Sequence, residues 1–224
     1  MCGRFSLNKS KDEVEKFLFD FFSINDFVAS SLPKFNIAPS QLVTAIIFDG
    51  INYRSSLIKW GLEKKITPTG NSFISVNARS ETLMNKPMFK NLLSQKRCLI
   101  VADGFYEWEK KDGIPYHIFL ENHRLFTMAG LWDSFINAEG KKISTCTIIT
   151  TKANSLIEPI HERMPVIFDY ENQKKWLSNQ EKNEFNWLSW FEPYPGAKMG
   201  KYPITKLINN PANDSIDVLN PLIK

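Results

Sequence analysis

The sequence predicts an α+β fold in which one domain, residues 1–224, combines a curved, partly closed antiparallel sheet with peripheral helices. Three observations carry this prediction. Short runs typical of strands follow one another with short gaps, whereas a parallel sheet would alternate strands with helices. No internal repeat, low-complexity segment or linker divides the chain. With 224 residues, 43% of them hydrophobic, the chain is long enough for one sizeable core.

Helices are predicted where apolar residues recur at helical spacing. The segment KDEVEKFLFDFF at 11–22 has this spacing and also carries acids in its first turn. Further helices are predicted at 80–85, 170–178 and 184–191.

Strands are predicted where β-branched and aromatic residues lie between turn signals such as DG, NH and EG. FNIAPS at 35–40 should enter the first of them in an extended conformation, because Pro39 disfavours helix in the residue before it. The predicted strands are 42–48, 53–61, 73–79, 97–108, 116–120, 125–132, 143–151 and 165–168.

Composition excludes several classes of protein. No apolar run approaches the roughly 18 residues of a membrane helix, and no secretory signal opens the chain. Three widely spaced cysteines make no disulfide framework, which indicates a reducing, cytoplasmic setting. The net charge of +4 permits a nucleic-acid partner without requiring one. The signatures GxGxxG, GxSxG, CxxC and the P-loop are absent, and no metal site is expected, because His161-Glu162 lacks a second histidine.

The opening MCGRF places a cysteine directly after the initiator methionine. If Met1 is removed, Cys2 carries a free α-amine and a thiol two carbons apart, and both groups are partly available near neutral pH. One aldehyde reacts with both: the amine forms an imine, and the sulfur adds to the same carbon and closes a five-membered thiazolidine. The alternative is that Met1 stays and Cys2 is inert.

Three further stretches carry candidate functional residues. In ISVNARSET, Asn77 and Arg79 share one face of a strand and suit a ligand with a polar reacting group and a phosphate. In ADGFYEWE, Glu107 lies among aromatic residues, where burial would raise its pKa and fit it for acid/base chemistry. In IHERMPV, His161 lies in a loop stiffened by Pro165. On local grounds, a cap or turn asparagine, an edge-strand glutamate and a surface histidine remain open alternatives.

Together these stretches resemble the SRAP family, the SOS-response-associated peptidases, whose members form covalent crosslinks to abasic sites in single-stranded DNA. The family's MCGRF start, N-A-R strand, ADG-[FW]-[FY]-E-W segment and IH-x-R-x-P segment occur here in order. FNIAPS, TTKAN and the late YPIT…NNPAND match as well, so that the resemblance covers essentially the whole chain. It implies a bifurcated sheet wrapped into a small barrel.

The resemblance also implies roles for individual residues. Cys2 would be the nucleophile, Asn77 would orient the sugar and the amine, Glu107 would be the acid/base, and His161 would move protons on the ring-opened sugar. Phosphates would be held by Arg4, Arg79 and Arg163, and the DNA path would be lined by Asn36 and Pro39. The expected protein is a monomer without a cofactor that acts on single-stranded DNA, at the nucleoid if it is bacterial.

Two departures and two alternatives accompany this resemblance. Some members carry tryptophans that stack on bases after the matching Trp60-Gly61, but LEKKITPTG here has no aromatic residue. Some place an arginine before Met-Phe-Lys, where this chain has Pro87.

One alternative is an N-terminal-nucleophile cysteine peptidase that uses its own α-amine as base. The other is a noncatalytic single-strand binder in which Cys2 is incidental.

Overall fold

The computed structural model describes residues 2–28, 31–65, 72–178 and 190–222. Within these ranges the chain forms three α-helices: α1 (Lys11–Phe22), α2 (Pro87–Gln95) and α3 (Tyr170–Leu177). It also forms fourteen strands in these ranges: β1 (Arg4–Leu7), β2 (Lys34–Ile37), β3 (Leu42–Phe48), β4 (Tyr53–Trp60), β5 (Leu62–Lys65), β6 (Ser72–Ser75), β7 (Asn77–Arg79), β8 (Arg97–Ala102), β9 (Gly104–Trp108), β10 (Pro115–Leu120), β11 (Phe126–Ile136), β12 (Lys142–Lys152), β13 (Arg163–Pro165) and β14 (Met199–Pro203).

Five of these strands close a small barrel. The hydrogen-bonded order runs β11, β8, β3, β4 and β12, and β12 pairs again with β11 to complete the ring. All of these pairings are antiparallel except β4 with β12. Closure leaves no free edge on this ring. The C-terminal half of β12 also pairs with β7 and β13. The prediction of an α+β fold with a small barrel is confirmed.

A second sheet branches from the barrel at Asp103. Its order is β14, β10, β9, β1 and β2. The single strand predicted over 97–108 is wrong, because β8 pairs inside the barrel whereas β9 pairs with β1 and β10. Asp103 lies between the two strands, and its buried carboxylate accepts hydrogen bonds from Ser6 Oγ at 2.7 Å and Asn8 N at 3.2 Å. These bonds turn the chain from one sheet into the other, which is the bifurcation.

The helix predictions had mixed outcomes. The helix at 11–22 is confirmed, and a capping box between Ser10 and Glu13 closes its first turn. The helix at 170–178 is confirmed as α3. The helix predicted at 80–85 is wrong, because only one 3₁₀ turn forms at 80–82 and α2 begins later, at Pro87. The helix predicted at 184–191 lies almost entirely outside the described residues.

Several strand boundaries also differ from the predictions, and β5 and β14 were not predicted. The run 73–79 divides at Val76, where β6 pairs with β5 in a separate ribbon while β7 joins β12. Val76 O accepts a 3.0 Å bond from the buried Trp60 Nε1, and Trp60 meets Phe5 edge to face at 5.2 Å. These contacts bring β1 and β7 together beside the barrel. Strand β13 begins at Arg163, two residues before the predicted start.

Most of the strands and all three helices contribute to one main hydrophobic cluster, and Cys2 belongs to it. That the whole range 1–224 is a single domain stays a prediction. No helix among the described residues is both long enough and apolar enough to cross a bilayer.

Candidate active site at the start of the chain

The start of the chain is fixed in place. Cys2 has no solvent exposure, and its carbonyl oxygen accepts a 2.9 Å hydrogen bond from Asn77 Nδ2. Asn77 itself is positioned by the pairing of β7 with β12, where it lies beside Ile148. A second residue is normally frayed and exposed, so this burial and this side-chain bond give the terminus a defined position.

The Cys2 thiol is enclosed and protonated in this state. Its Sγ lies 3.8 Å from the carbonyl oxygen of Arg4, as a weak donor. Burial raises the pKa of the thiol well above its usual range, and the negative charge of Glu107 acts in the same direction. The thiol therefore needs a base before it can attack as a thiolate.

Glu107 is the carboxyl group next to this thiol. It lies on β9, which pairs with β1 so that Arg4 faces Tyr106, one residue before it. The side chain is 2% exposed, and burial raises its pKa to about 7. The positive charge of the N-terminus lowers that pKa, and Glu162 raises it. A carboxyl group that titrates near neutral pH can both take up and release a proton.

His161 is half-buried on the loop before β13. Its Nδ1 accepts a 3.0 Å hydrogen bond from the backbone N–H of Arg163, which assigns the proton of the neutral ring to Nε2. Burial lowers the pKa of His161, and the positive N-terminus lowers it further. The N-terminal charge therefore acts on Cys2, Glu107 and His161, so that the predicted site residues surround the start of the chain.

His161 opens onto a cavity of about 570 Å³ between the β9–β10 turn and the loop 153–162. Three lysines and three glutamates line it: Lys110, Lys111, Lys152, Glu109, Glu158 and Glu162. Lys110 and Glu162 form an ion pair. Among the described residues no group of three or more His, Cys, Asp or Glu side chains is arranged to hold a metal ion.

The residues predicted to contact DNA have different surroundings. Arg79 is exposed on β7, and Pro39 is half-buried in the turn between β2 and β3. Asn36, by contrast, is 1% exposed and donates to three backbone carbonyls of the segment 208–213. Arg4 donates to Asn36 Oδ1 at 2.7 Å and to the carbonyl of Ile208 at 2.7 Å.

Arg163 is also bound within the protein. It is 8% exposed and donates to both carboxylate oxygens of Glu81, at 2.6 and 3.0 Å. It also reaches the carbonyl oxygen of Thr150 at 2.6 Å. Glu81 was not among the predicted site residues, yet its bond to Arg163 ties the loop of His161 to the end of β7. An acid two residues after Arg79 was the available signal, but the sequence does not show which arginine it pairs with.

The raised pKa of Glu107 predicts a pH-dependent stability. A carboxyl group with a folded-state pKa above its unfolded value stabilises the fold when protonated, so this stability is lost as pH rises from 4.5 through 7. The loss should be about 3 kcal/mol. Glu107→Gln keeps the shape of the side chain but does not titrate. We therefore expect the free energy of unfolding of Glu107→Gln, measured in urea relative to the parent protein, to rise by about this amount between pH 4.5 and 7. A constant difference across that range would contradict the assignment.

The fold and the site define a class of protein: an α+β barrel with a branching sheet that encloses the start of its own chain beside an amide, a carboxyl group and a histidine. Residues 1–211 match the family model described as SOS response associated peptidase (SRAP). The chain therefore belongs to the SRAP family, as the resemblance implied.

Curated relatives agree with this membership. The chain is 40% identical over 228 residues, 98% of its length and 99% of the relative's, to the abasic site processing protein YoqW of Bacillus subtilis. It is 31% identical over 192 residues to the abasic site processing protein HMCES of Gallus gallus, covering 74% of this chain and 56% of that protein.

Solved structures share the fold. A protein from Bacteroides thetaiotaomicron superposes with a TM-score of 0.82 at 24% identity, covering 99% of this chain and 100% of the other. A protein from Bordetella bronchiseptica gives 0.74 at 22% identity, covering 91% and 100%.

Proposed function

We propose that this chain recognises abasic sites in single-stranded DNA and attaches to them covalently through the α-amine and thiol of Cys2, after Met1 is removed. The observation that carries the proposal is the buried, hydrogen-bonded start of the chain, with a carboxyl group of near-neutral pKa beside it. The relatives named abasic site processing proteins support it. The attached protein would shield the lesion during the DNA damage response.

The proposed chemistry joins one aldehyde to an aminothiol. The α-amine of Cys2 attacks the aldehyde carbon of the ring-opened sugar, and the aldehyde oxygen leaves as water to give an imine. The thiol sulfur then adds to the same carbon, and the thiol proton passes to the imine nitrogen. The product is a thiazolidine, and one water is released. The imine step is lyase-like Schiff-base chemistry that consumes no cofactor.

Asn77 and Glu107 have separate tasks in this reaction. The Asn77 bond to the Cys2 carbonyl fixes the direction in which the amine and thiol leave the backbone. Glu107, with its pKa raised by burial to about 7, takes a proton from the amine or thiol and returns one to the departing oxygen. Glu107 lies near the buried Cys2 thiol, which needs a base before it can react, and can act as that base.

His161 acts on the sugar in this proposal. Because Nδ1 is occupied by the Arg163 backbone, the neutral ring offers the Nε2 N–H to the sugar oxygen. A donor at this place favours ring opening to the aldehyde, and it also serves the reverse reaction. The cavity beside His161 provides an approach for the nucleotide.

Of the three arginines predicted to contact DNA, Arg79 is exposed, whereas Arg4 and Arg163 bind other groups of the protein. We propose Arg79 as a phosphate contact, since it is exposed two residues from Asn77 on the same strand. Arg163 would reach a phosphate only by exchanging its bond to Glu81, and Pro39 would border the path of the strand. A monomer suffices for this arrangement, which would act in the cytoplasm, at the nucleoid of a bacterium.

The word peptidase in the family description fits a narrower event. The aminothiol exists only after the bond between Met1 and Cys2 is cut, so self-removal of Met1 would be the peptidase activity that the proposal needs. Cleavage of other peptides would require an oxyanion hole and a substrate groove.

Intact-mass measurement tests the function directly. The purified protein is mixed with a single-stranded oligonucleotide that carries one abasic site, and with the same oligonucleotide without the lesion. We expect a stable mass equal to protein plus oligonucleotide minus one water, for the lesion-bearing strand alone. Peptide cleavage without a mass addition would favour the peptidase, and reversible binding alone would favour the noncatalytic binder.

Arg79→Ala should weaken DNA binding through charge. Each phosphate neutralised on a single strand contributes about −0.7 to the slope of log affinity against log salt. We expect Arg79→Ala, made in a Cys2→Ala background, to flatten that slope by about 0.7. Fluorescence anisotropy across a salt series measures it, and Arg54→Ala, a substitution of an arginine ion-paired with Asp49, is the control. An unchanged slope would remove Arg79 from the phosphate site.

A further inference from the structure

Arg4 joins the start of the chain to a distant segment of the sequence. This segment, residues 206–214, is named the clasp. The Arg4 guanidinium donates to the backbone carbonyls of Ile208 at 2.7 Å and Asn209 at 3.2 Å. Arg4 is two residues from Cys2 and is the first residue of β1, so these bonds fix the strand at the point where the nucleophile leaves it.

The clasp also holds the strand that carries Glu107. Trp108 follows Glu107 directly, and its indole Nε1 donates to the side-chain Oδ1 of Asn209 at 2.7 Å. The Arg4 guanidinium lies 6.0 Å from the centroid of the same indole ring, within cation–π range. One clasp residue, Asn209, thus bonds both to Arg4, two residues after Cys2, and to Trp108, which follows Glu107.

The clasp has its own anchor in Asn36 and Asp214. Asn36 Nδ2 donates to the carbonyls of Ile208, Asn210 and Asn213 at 3.2, 3.0 and 2.8 Å. Asp214 accepts the backbone N–H groups of Phe35 and Asn36 at 2.7 and 3.0 Å. A buried amide with this many partners has a structural task, so it is not free to bind a passing strand.

We propose that the clasp positions the reaction: it holds Cys2 through Arg4 and Glu107 through Trp108, so that amine, thiol and carboxyl meet one aldehyde carbon in a single geometry. This inference rests on the proposed function. It makes Arg4, Asn36, Trp108 and Asn209 positioning residues, and it replaces a phosphate role for Arg4 with a role in aligning the nucleophile.

The geometry explains why such a device is needed. Strand β1 pairs with β9 over only three residue pairs, and Cys2 lies before the first of them. The chain ahead of Cys2 is lost with Met1, so nothing upstream restrains the new terminus. A misplacement of about 1 Å in reacting groups costs up to about 10²-fold in rate. Asn77 holds the Cys2 carbonyl, and the clasp adds a second restraint through Arg4 and Trp108.

The test removes the bond between Asn209 and Trp108 from each side. Asn209→Ala deletes the acceptor, Trp108→Phe deletes the donor, and the double variant deletes both. We expect each single variant to crosslink an abasic-site oligonucleotide about tenfold more slowly, and the double variant to be no slower than either. Asn209→Asp keeps an oxygen acceptor and should restore the rate.

The pH profile separates positioning from mere folding. The groups that face Glu107 are the N-terminal amine, Cys2 and Glu162. Loosening the clasp admits water to this carboxyl, so we expect the inflection of the rate profile to move from about 7 toward more acidic pH in Asn209→Ala. Asn137→Ala is the matched control, because it deletes turn bonds to Glu139 N and Lys141 N in the β11–β12 hairpin. It should lower stability and leave rate and inflection unchanged.

Two results would overturn the clasp. One is a parental rate and inflection in Asn209→Ala, and the other is an Asn209→Asp variant as slow as Asn209→Ala. A parent protein that fails to crosslink at all would refute the proposed function instead, and the two failures are distinct.

Discussion

Cys2→Ala is expected to abolish the covalent product with abasic-site DNA and to leave noncovalent binding of single strands nearly unchanged. The thiol closes the thiazolidine, whereas the exposed Arg79 is proposed to hold phosphate elsewhere on the surface. The side chain of Cys2 is fully buried, so its truncation should cost about 1 kcal/mol of stability, too little to unfold the protein. Denaturing gels measure the crosslink, and anisotropy measures the binding.

Cys2→Ser is the matched variant for this experiment. Its hydroxyl is a weaker nucleophile than the thiol, so at most a labile imine or oxazolidine should form, and borohydride should trap the imine. With Cys2→Ser we expect a heat-stable product after borohydride treatment and none after heating without borohydride. This difference would separate the amine step from the sulfur step. A heat-stable crosslink in full yield from Cys2→Ala would refute the thiazolidine mechanism.

Much of the fold could be predicted from the sequence, because local signals determine it. The capped helix at 11–22 and the strands of the barrel follow from periodicity and turn residues. The branch at Asp103 could not be predicted, since the run 97–108 is uniformly strand-like and its division depends on bonds from Ser6 and Asn8. Helix α2 was not predicted, because Pro87, which suits the first turn of a helix, was not interpreted as a helix start.

The site, like the fold, could be predicted only in part from the sequence. The chemistry of Cys2, and the burial that prepares Glu107, can be argued from residue types and their neighbours. The partners of the arginines cannot, because Arg4 and Arg163 contact residues 204 and 82 positions away. Arginine beside a ligand site is expected to bind phosphate, yet in this fold two of the three predicted arginines hold the protein together. Their phosphate roles stay predictions, and Arg79 has the surroundings that suit one.

The second large effect concerns the amine. An extension left in front of Cys2 is expected to be as damaging as loss of the thiol, because an amide nitrogen forms no imine with an aldehyde. The bond from Asn77 Nδ2 reaches the Cys2 carbonyl oxygen and not this nitrogen, so the expected loss comes from the amine itself.

A cleavable tag makes the comparison within one preparation. The tagged protein is assayed before and after a protease cut that leaves Cys2 as the first residue, with Arg79-dependent binding of undamaged single strands as the control for folding. We expect no heat-stable crosslink before the cut, parental yield after it, and equal noncovalent binding throughout. Because the thiol is present in both samples, the difference isolates the free amine. Equal crosslinking by the uncut protein would show that the free amine is not needed and would refute the thiazolidine mechanism.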